Sequence, residues 1–127
     1  MKEHTKQWLH IAEGDYEVGL QGFKMARYPQ AIYMLCQAIE KLLKAAQIEF
    51  TQNLPQRSHR LENLAQETTL DFSDHQYQKL TQLSKHYGKV RYPDFAQVDY
   101  NTKSKAQPII EEAQNLYLWI LHKFNNH

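Results

Sequence analysis

The chain has 127 residues, 42% hydrophobic and 23% charged, which suits one folded domain with one core rather than a disordered chain. Lys and Arg total 15 against 14 Asp and Glu, a formal charge of +1. No global basic field therefore draws in nucleic acid, and any such contact must be local. A single cysteine, Cys36, excludes an intramolecular disulfide and a Cys-based zinc site. No apolar run is long enough to span a membrane. The polar opening Met1-Lys2-Glu3-His4 lacks the apolar segment of a signal peptide, so the cytoplasm is the expected compartment.

Helical spacing dominates from the start. Trp8, Ala12, Tyr16, Gly19, Leu20 and Phe23 recur every three or four residues and predict a first helix over about 3–24, with Thr5 or an earlier residue as its cap. Arg27-Tyr28-Pro29 interrupts the pattern, because proline disfavours helical geometry in the residue before it and suits the first turn of a new helix. A second helix is predicted over Pro29 to Phe50. Ile32, Leu35, Ile39, Leu42, Leu43 and Ala46 form its stripe, and Ala31, Cys36, Ala38 and Ala45 widen it. So broad an apolar face implies a central helix with neighbours on several sides.

Thr51 to Gln56 reads as a loop. Ser58 is placed to cap a short third helix over about His59 to Thr68, burying Leu61, Leu64 and Ala65. Ser73 is placed to cap a fourth, which turns Tyr77, Leu80, Leu83 and Tyr87 to the core. Gly88 is expected to end it, and the Tyr-, Phe- and Asp-rich stretch to Asn101 is expected to be irregular. The last helix is predicted over Lys103 to Phe124, with Pro108 in its first turns or at a kink. Trp8, Trp119 and Cys36 read as core residues, and Asp71, Asp74 and His75 as turn and cap residues rather than metal ligands.

These landmarks line up with a known family. Trp8-Leu9, Ala12 and Asp15 lead into Gln37-Ala38-Ile39-Glu40-Lys41-Leu42-Leu43-Lys44-Ala45. Ser58-His59-Arg60-Leu61 follows, then Tyr87, Arg91-Tyr92-Pro93-Asp94 and Tyr100. The chain resembles a HEPN domain (higher eukaryotes and prokaryotes nucleotide-binding) of the Arg-Tyr-Pro-Asp branch, over nearly its whole length. The resemblance implies an all-α fold, an antiparallel up-and-down bundle of about five helices spanning 1–127 as a single domain. It also implies a homodimer and, for many prokaryotic members, a minimal nucleotidyltransferase partner in a toxin–antitoxin-like pair. Other members of the family are metal-independent ribonucleases, marked by Arg, four to six residues, then His. The arginines here are Arg27, Arg57, Arg60 and Arg91, and none has a histidine at that distance. His86 stands in the reversed order before Arg91, and His59 follows Arg57 too closely.

Arg91 is the leading contact residue, since its planar guanidinium suits phosphate or carboxylate. Asp94 is placed to orient Arg91 or a ribose hydroxyl. Tyr87, Tyr92 and Phe95 are placed to stack on a base. Equally, Pro93 makes a turn, Asp94 bonds backbone amides, Arg91 pairs with Glu40 and the tyrosines fill the edge of the core. Gln37, Lys41 and Lys44 share one side of the second helix, which faces either a groove or solvent. His59 either anchors the third helix or serves as an acid or base in a cleft. Three readings stay open. The first is a non-catalytic or weakly catalytic HEPN protein that contacts nucleotide, RNA or a partner near Arg91. The others are a ribonuclease toxin and a purely structural interaction module. No cofactor or metal is expected.

Overall fold

The structure, a computed structural model, describes residues 1–55 and 57–125. The described residues form six helices: α1 (Glu3–Lys24), α2 (Tyr28–Phe50), α3 (Leu61–Gln66), α4 (Asp74–Lys89), α5 (Pro93–Asp99) and α6 (Lys103–Asn125). Gln56, the end of the expected loop, lies outside the described residues.

α1 and α2 form an antiparallel hairpin. At its open end Thr5 donates to Glu49 Oε1 at 2.9 Å, and the Lys2 ammonium donates to the carbonyl of Ile48 at 2.6 Å. Thr5 is thus a buried inter-helix tie, and the cap position falls to the earlier residue Lys2, whose side chain makes no cap hydrogen bond. In the middle, Gly19 sits where a Cβ would lie 2.7 Å from Leu35 Cδ2 and 3.2 Å from the Leu35 backbone nitrogen. Only glycine lets the two helices approach so closely there. The turn closes with Arg27 N–H on Gly22 C=O at 2.8 Å and Ala26 N–H on Phe23 C=O at 3.1 Å. This is the Schellman pattern, in which the residue past the cap turns left-handed. Here that residue is Ala26, at φ 61°, where glycine would cost less.

α2 is the central helix, as its wide apolar face implied. Its residues from Ala31 to Ala46 carry a larger share of the buried core than any other helix, and α1, α3, α4 and α6 all pack against it. α4 begins with a full capping box: Ser73 Oγ accepts from Gln76 N, and Ser73 N donates to Gln76 Oε1 at 2.8 Å. α6 runs antiparallel to α4, with Phe72 against Trp119 at one end and Lys79 beside Glu112 further along. Pro108 is accommodated inside α6, in its second turn.

Four further expectations change. α3 is shorter than expected, starting at Leu61, so His59 lies in the loop before it. Ser58 accepts from Arg60 N in a turn instead of capping the helix. Gly88 does not end α4, which continues to Lys89, and the stretch expected to be irregular contains α5. Pro93 opens α5 at its first position, where its missing N–H costs nothing.

Candidate functional site

Arg91 stands in the turn between α4 and α5, and the surrounding elements form an open cleft of about 250 Å³ beside it. α2 contributes Tyr33 and Gln37, the loop before α3 contributes His59 and Arg60, and α4 contributes Ser84 and Tyr87. The loop is held in place because Leu61 N–H donates to Ser84 Oγ at 2.8 Å. Tyr33 and Tyr87 meet edge to face at 5.3 Å.

Glu40 lies beneath this cleft and organises it. It is almost wholly buried and accepts from Lys44 at 3.0 Å and from the Tyr87 hydroxyl at 3.0 Å. His59 Nδ1 lies 3.1 Å from Oε1. Burial opposes ionisation of Glu40, but the hydrogen bonds from Lys44, His59 and Tyr87 outweigh it and hold the carboxyl below its ordinary range. An ionised carboxylate only accepts, so His59 Nδ1 carries the hydrogen in this contact. Burial first, then the charge of Glu40, pushes the Tyr87 phenol upward, so it remains a neutral donor.

Arg91 itself is exposed and forms no ion pair or hydrogen bond among the described residues. The expected pairing with Glu40 is not made, because Lys44, His59 and Tyr87 already fill that carboxylate. Arg91 instead borders three clefts. The second, of about 490 Å³, adds Lys85, Lys89, Tyr92 and Phe95 to Arg60 and Arg91. The third, of about 400 Å³, lies toward Tyr33, Met34 and Val90. Lys89 Nζ sits 5.3 Å from the Phe95 ring centroid, a cation against an exposed aromatic face.

The other candidates divide. Tyr87 and His59 line the first cleft, and Tyr92 lines the second. Asp94 is exposed in the first turn of α5 and does not pair with Arg91. Lys41 is spent in an ion pair with Asp15 of α1, away from the cleft. Lys44 reaches the site only through Glu40, and its ammonium also lies 5.7 Å from the Trp8 ring centroid. His86 belongs elsewhere, since Nδ1 shares a hydrogen bond with the Tyr100 hydroxyl at 2.7 Å beside α6. Arg60 and Ser84 join the site unannounced. Arg60 had a signal in its position next to His59, whereas Ser84 had none.

An all-helical bundle built around α2, with an exposed arginine in the turn after α4, defines the class of protein. The HEPN domain model matches residues 5–123, and the chain belongs to that family. Among solved structures it is similar to the protein TT1696 from Thermus thermophilus, with a TM-score of 0.79 and 20% identity, covering 96% of this chain and 99% of that one. That likeness concerns the fold. No curated protein sequence shows a significant match.

Proposed function

We propose that this HEPN protein contacts the phosphates of a nucleotide or RNA at the Arg91 clefts. In this reading it is non-catalytic or weakly catalytic and works as a homodimer, with a minimal nucleotidyltransferase as a toxin–antitoxin-like partner. One observation carries the reading: among the described residues the Arg91 guanidinium is exposed and unpaired beside Arg60, in clefts edged by tyrosines. Two guanidiniums without carboxylate partners among those residues suit a phosphate oxyanion, and flanking aromatic rings suit a base. Calorimetry with ATP, GTP, a short single-stranded RNA and the transferase tests it. Heat with at least one of these, weakened in Arg91→Ala, supports the reading, and no heat with any of them refutes it.

A second reading has an observation of its own. His59 and Arg91 line the same cleft although their sequence order breaks the ribonuclease spacing. The Glu40 contact orients the imidazole as a carboxylate does in a base–orienter pair. Ribonuclease action would then appear without added metal and vanish in both His59→Ala and Arg91→Ala. A mixed RNA pool left intact by pure protein removes it.

A further inference from the structure

The cleft of about 490 Å³ holds one carboxylate among its cations. Glu62, in the first turn of α3, lines it together with Arg60, Lys85, Lys89 and Arg91. Its Oε2 is buried and has no hydrogen-bond partner. Among the described residues the carboxylate also joins no ion pair. The α3 dipole favours a negative charge there but satisfies no lone pair. Buried polar atoms are rarely left unpaired, and each one that is calls for a specific explanation.

The remaining walls suit a flat, charged ligand. Thr81, Ser84, Lys85 and Gly88 line the cleft from one face of α4, at the helical spacing of three, four and seven residues. A Cβ built at Gly88 meets nothing within 4 Å, so the backbone there is bare. Glycine is unfavourable in a helix, and a bare backbone admits the close approach of a ring. Tyr92 is 59% exposed and makes no ring contact among the described residues. The volume lies within the roughly 300–1,000 Å³ of small-molecule sites.

Such a ligand supplies negative charge for the cations, a ring for Tyr92 and hydrogen-bond donors for Glu62. Any nucleotide meets the first two demands, and the third selects among bases, because a carboxylate only accepts. Guanine presents two adjacent donors, N1–H and the 2-amino group, which match the two oxygens of one carboxylate. Adenine and cytosine each set a ring-nitrogen acceptor beside a single amino donor. Uracil sets its one N–H between two carbonyls. We infer that Glu62 reads guanine in this cleft, accepting from N1–H and the 2-amino group while Tyr92 stacks on the ring and Arg60 and Arg91 hold the phosphate. The last torsion of a glutamate is soft, so Oε2 turns toward the ligand without a change of rotamer.

The ligand is a guanine 5′-nucleotide, free or within a single strand, since both offer the same edge, ring and phosphate. This inference rests on the phosphate contact proposed above, yet the two separate: Glu62 touches only the base, and Arg91 only the phosphate. A matched pair of hydrogen bonds discriminates between bases by about tenfold or more. A base that lacks the donors leaves the carboxylate unpaired in the bound state, which deepens its rejection. A Glu62 that served only as a counter-ion to Lys85 would change the affinity of every nucleotide alike.

Two arms test it: calorimetry with GTP, ITP and ATP, and fluorescence anisotropy with a labelled pentauridylate whose central base is guanine or adenine. Circular dichroism confirms that each variant keeps its helices. Wild type is expected to bind the guanine ligand at least about tenfold more tightly than the adenine ligand in one arm or both, and the responding arm identifies the source. ITP, which lacks the 2-amino group, is expected to fall between GTP and ATP. Glu62→Gln keeps the size of the side chain and is expected to cut the guanine preference to about threefold or less without weakening the adenine ligand. Arg91→Ala is expected to weaken both ligands and preserve their ratio. Equal guanine and adenine affinities in both arms, or a preference that survives Glu62→Gln, overturn the role of Glu62 and leave the phosphate contact standing. Binding in neither arm overturns both.

Discussion

Replacing Glu40 with alanine tests the network beneath the cleft. The substitution deletes one acceptor that serves Lys44, His59 and Tyr87, and leaves an 11%-exposed ammonium and a buried phenol without their partner. Removing one member of a buried ion pair costs about 3–5 kcal/mol. The lower end applies, because the His59 side chain is 77% exposed and water replaces its bond cheaply. Unfolding entropy of about 2.1 cal/mol/K per residue over 127 residues converts each kcal/mol to roughly 4 °C of Tm. Glu40→Ala should therefore melt about 12 °C below wild type in scanning calorimetry. Glu40→Gln keeps an acceptor for Tyr87 and should lose less. The linkage sign follows from the lowered carboxyl: its stabilisation is present above the unfolded carboxylate range and disappears as pH falls through the folded value. The gap between wild type and Glu40→Gln should hold above about pH 5 and shrink below about pH 4. A melting point for Glu40→Ala within about 2 °C of wild type would refute the role given to this carboxylate.

Other expectations are shorter. Gly19→Ala should destabilise by about 1–3 kcal/mol in urea unfolding, since the new methyl meets both the Leu35 side chain and its backbone nitrogen. Ala26→Gly should stabilise by up to about 1 kcal/mol in the same assay, because it relieves a left-handed alanine. Burial, then the nearby Lys89 charge, lowers His86. The unfolded chain therefore binds its proton first, and stability should fall as pH drops below about 6.5. His86→Asn should remove that part of the slope in pH-dependent melts.

Much of the architecture was legible because the long helices announce themselves. The apolar positions of α2 repeat over 23 residues and are wide enough to declare a central element. α1 and α6 carry the same period, and Ser73 carries a visible cap signal. α5 was hidden for a physical reason: none of its residues is buried, and Phe95 and Val98 face solvent, so no amphipathic pattern exists to read. Gly88 misled because a helix tolerates glycine where tertiary packing carries the turn beyond it.

The site was legible in part. Arg91, Tyr87 and His59 do converge, from segments far apart in sequence. Glu40 lies four residues before Lys44, and that pairing follows from helix spacing, but its contacts with His59 and Tyr87 were not legible, because choosing among nearby donors requires the loop before α3 to be placed. Lys41 illustrates the limit. Its spacing from Gln37 is right for one helix face, yet Asp15 on the neighbouring helix captures it.

The central claim concerns Arg91 as a phosphate contact. Its most direct test is the salt dependence of single-stranded RNA binding by wild type and Arg91→Ala, followed by fluorescence anisotropy. Arg91→Ala should weaken binding about tenfold at low salt and reduce the slope of log affinity against log salt by about one. Equal affinities and equal slopes for the two proteins would contradict the account.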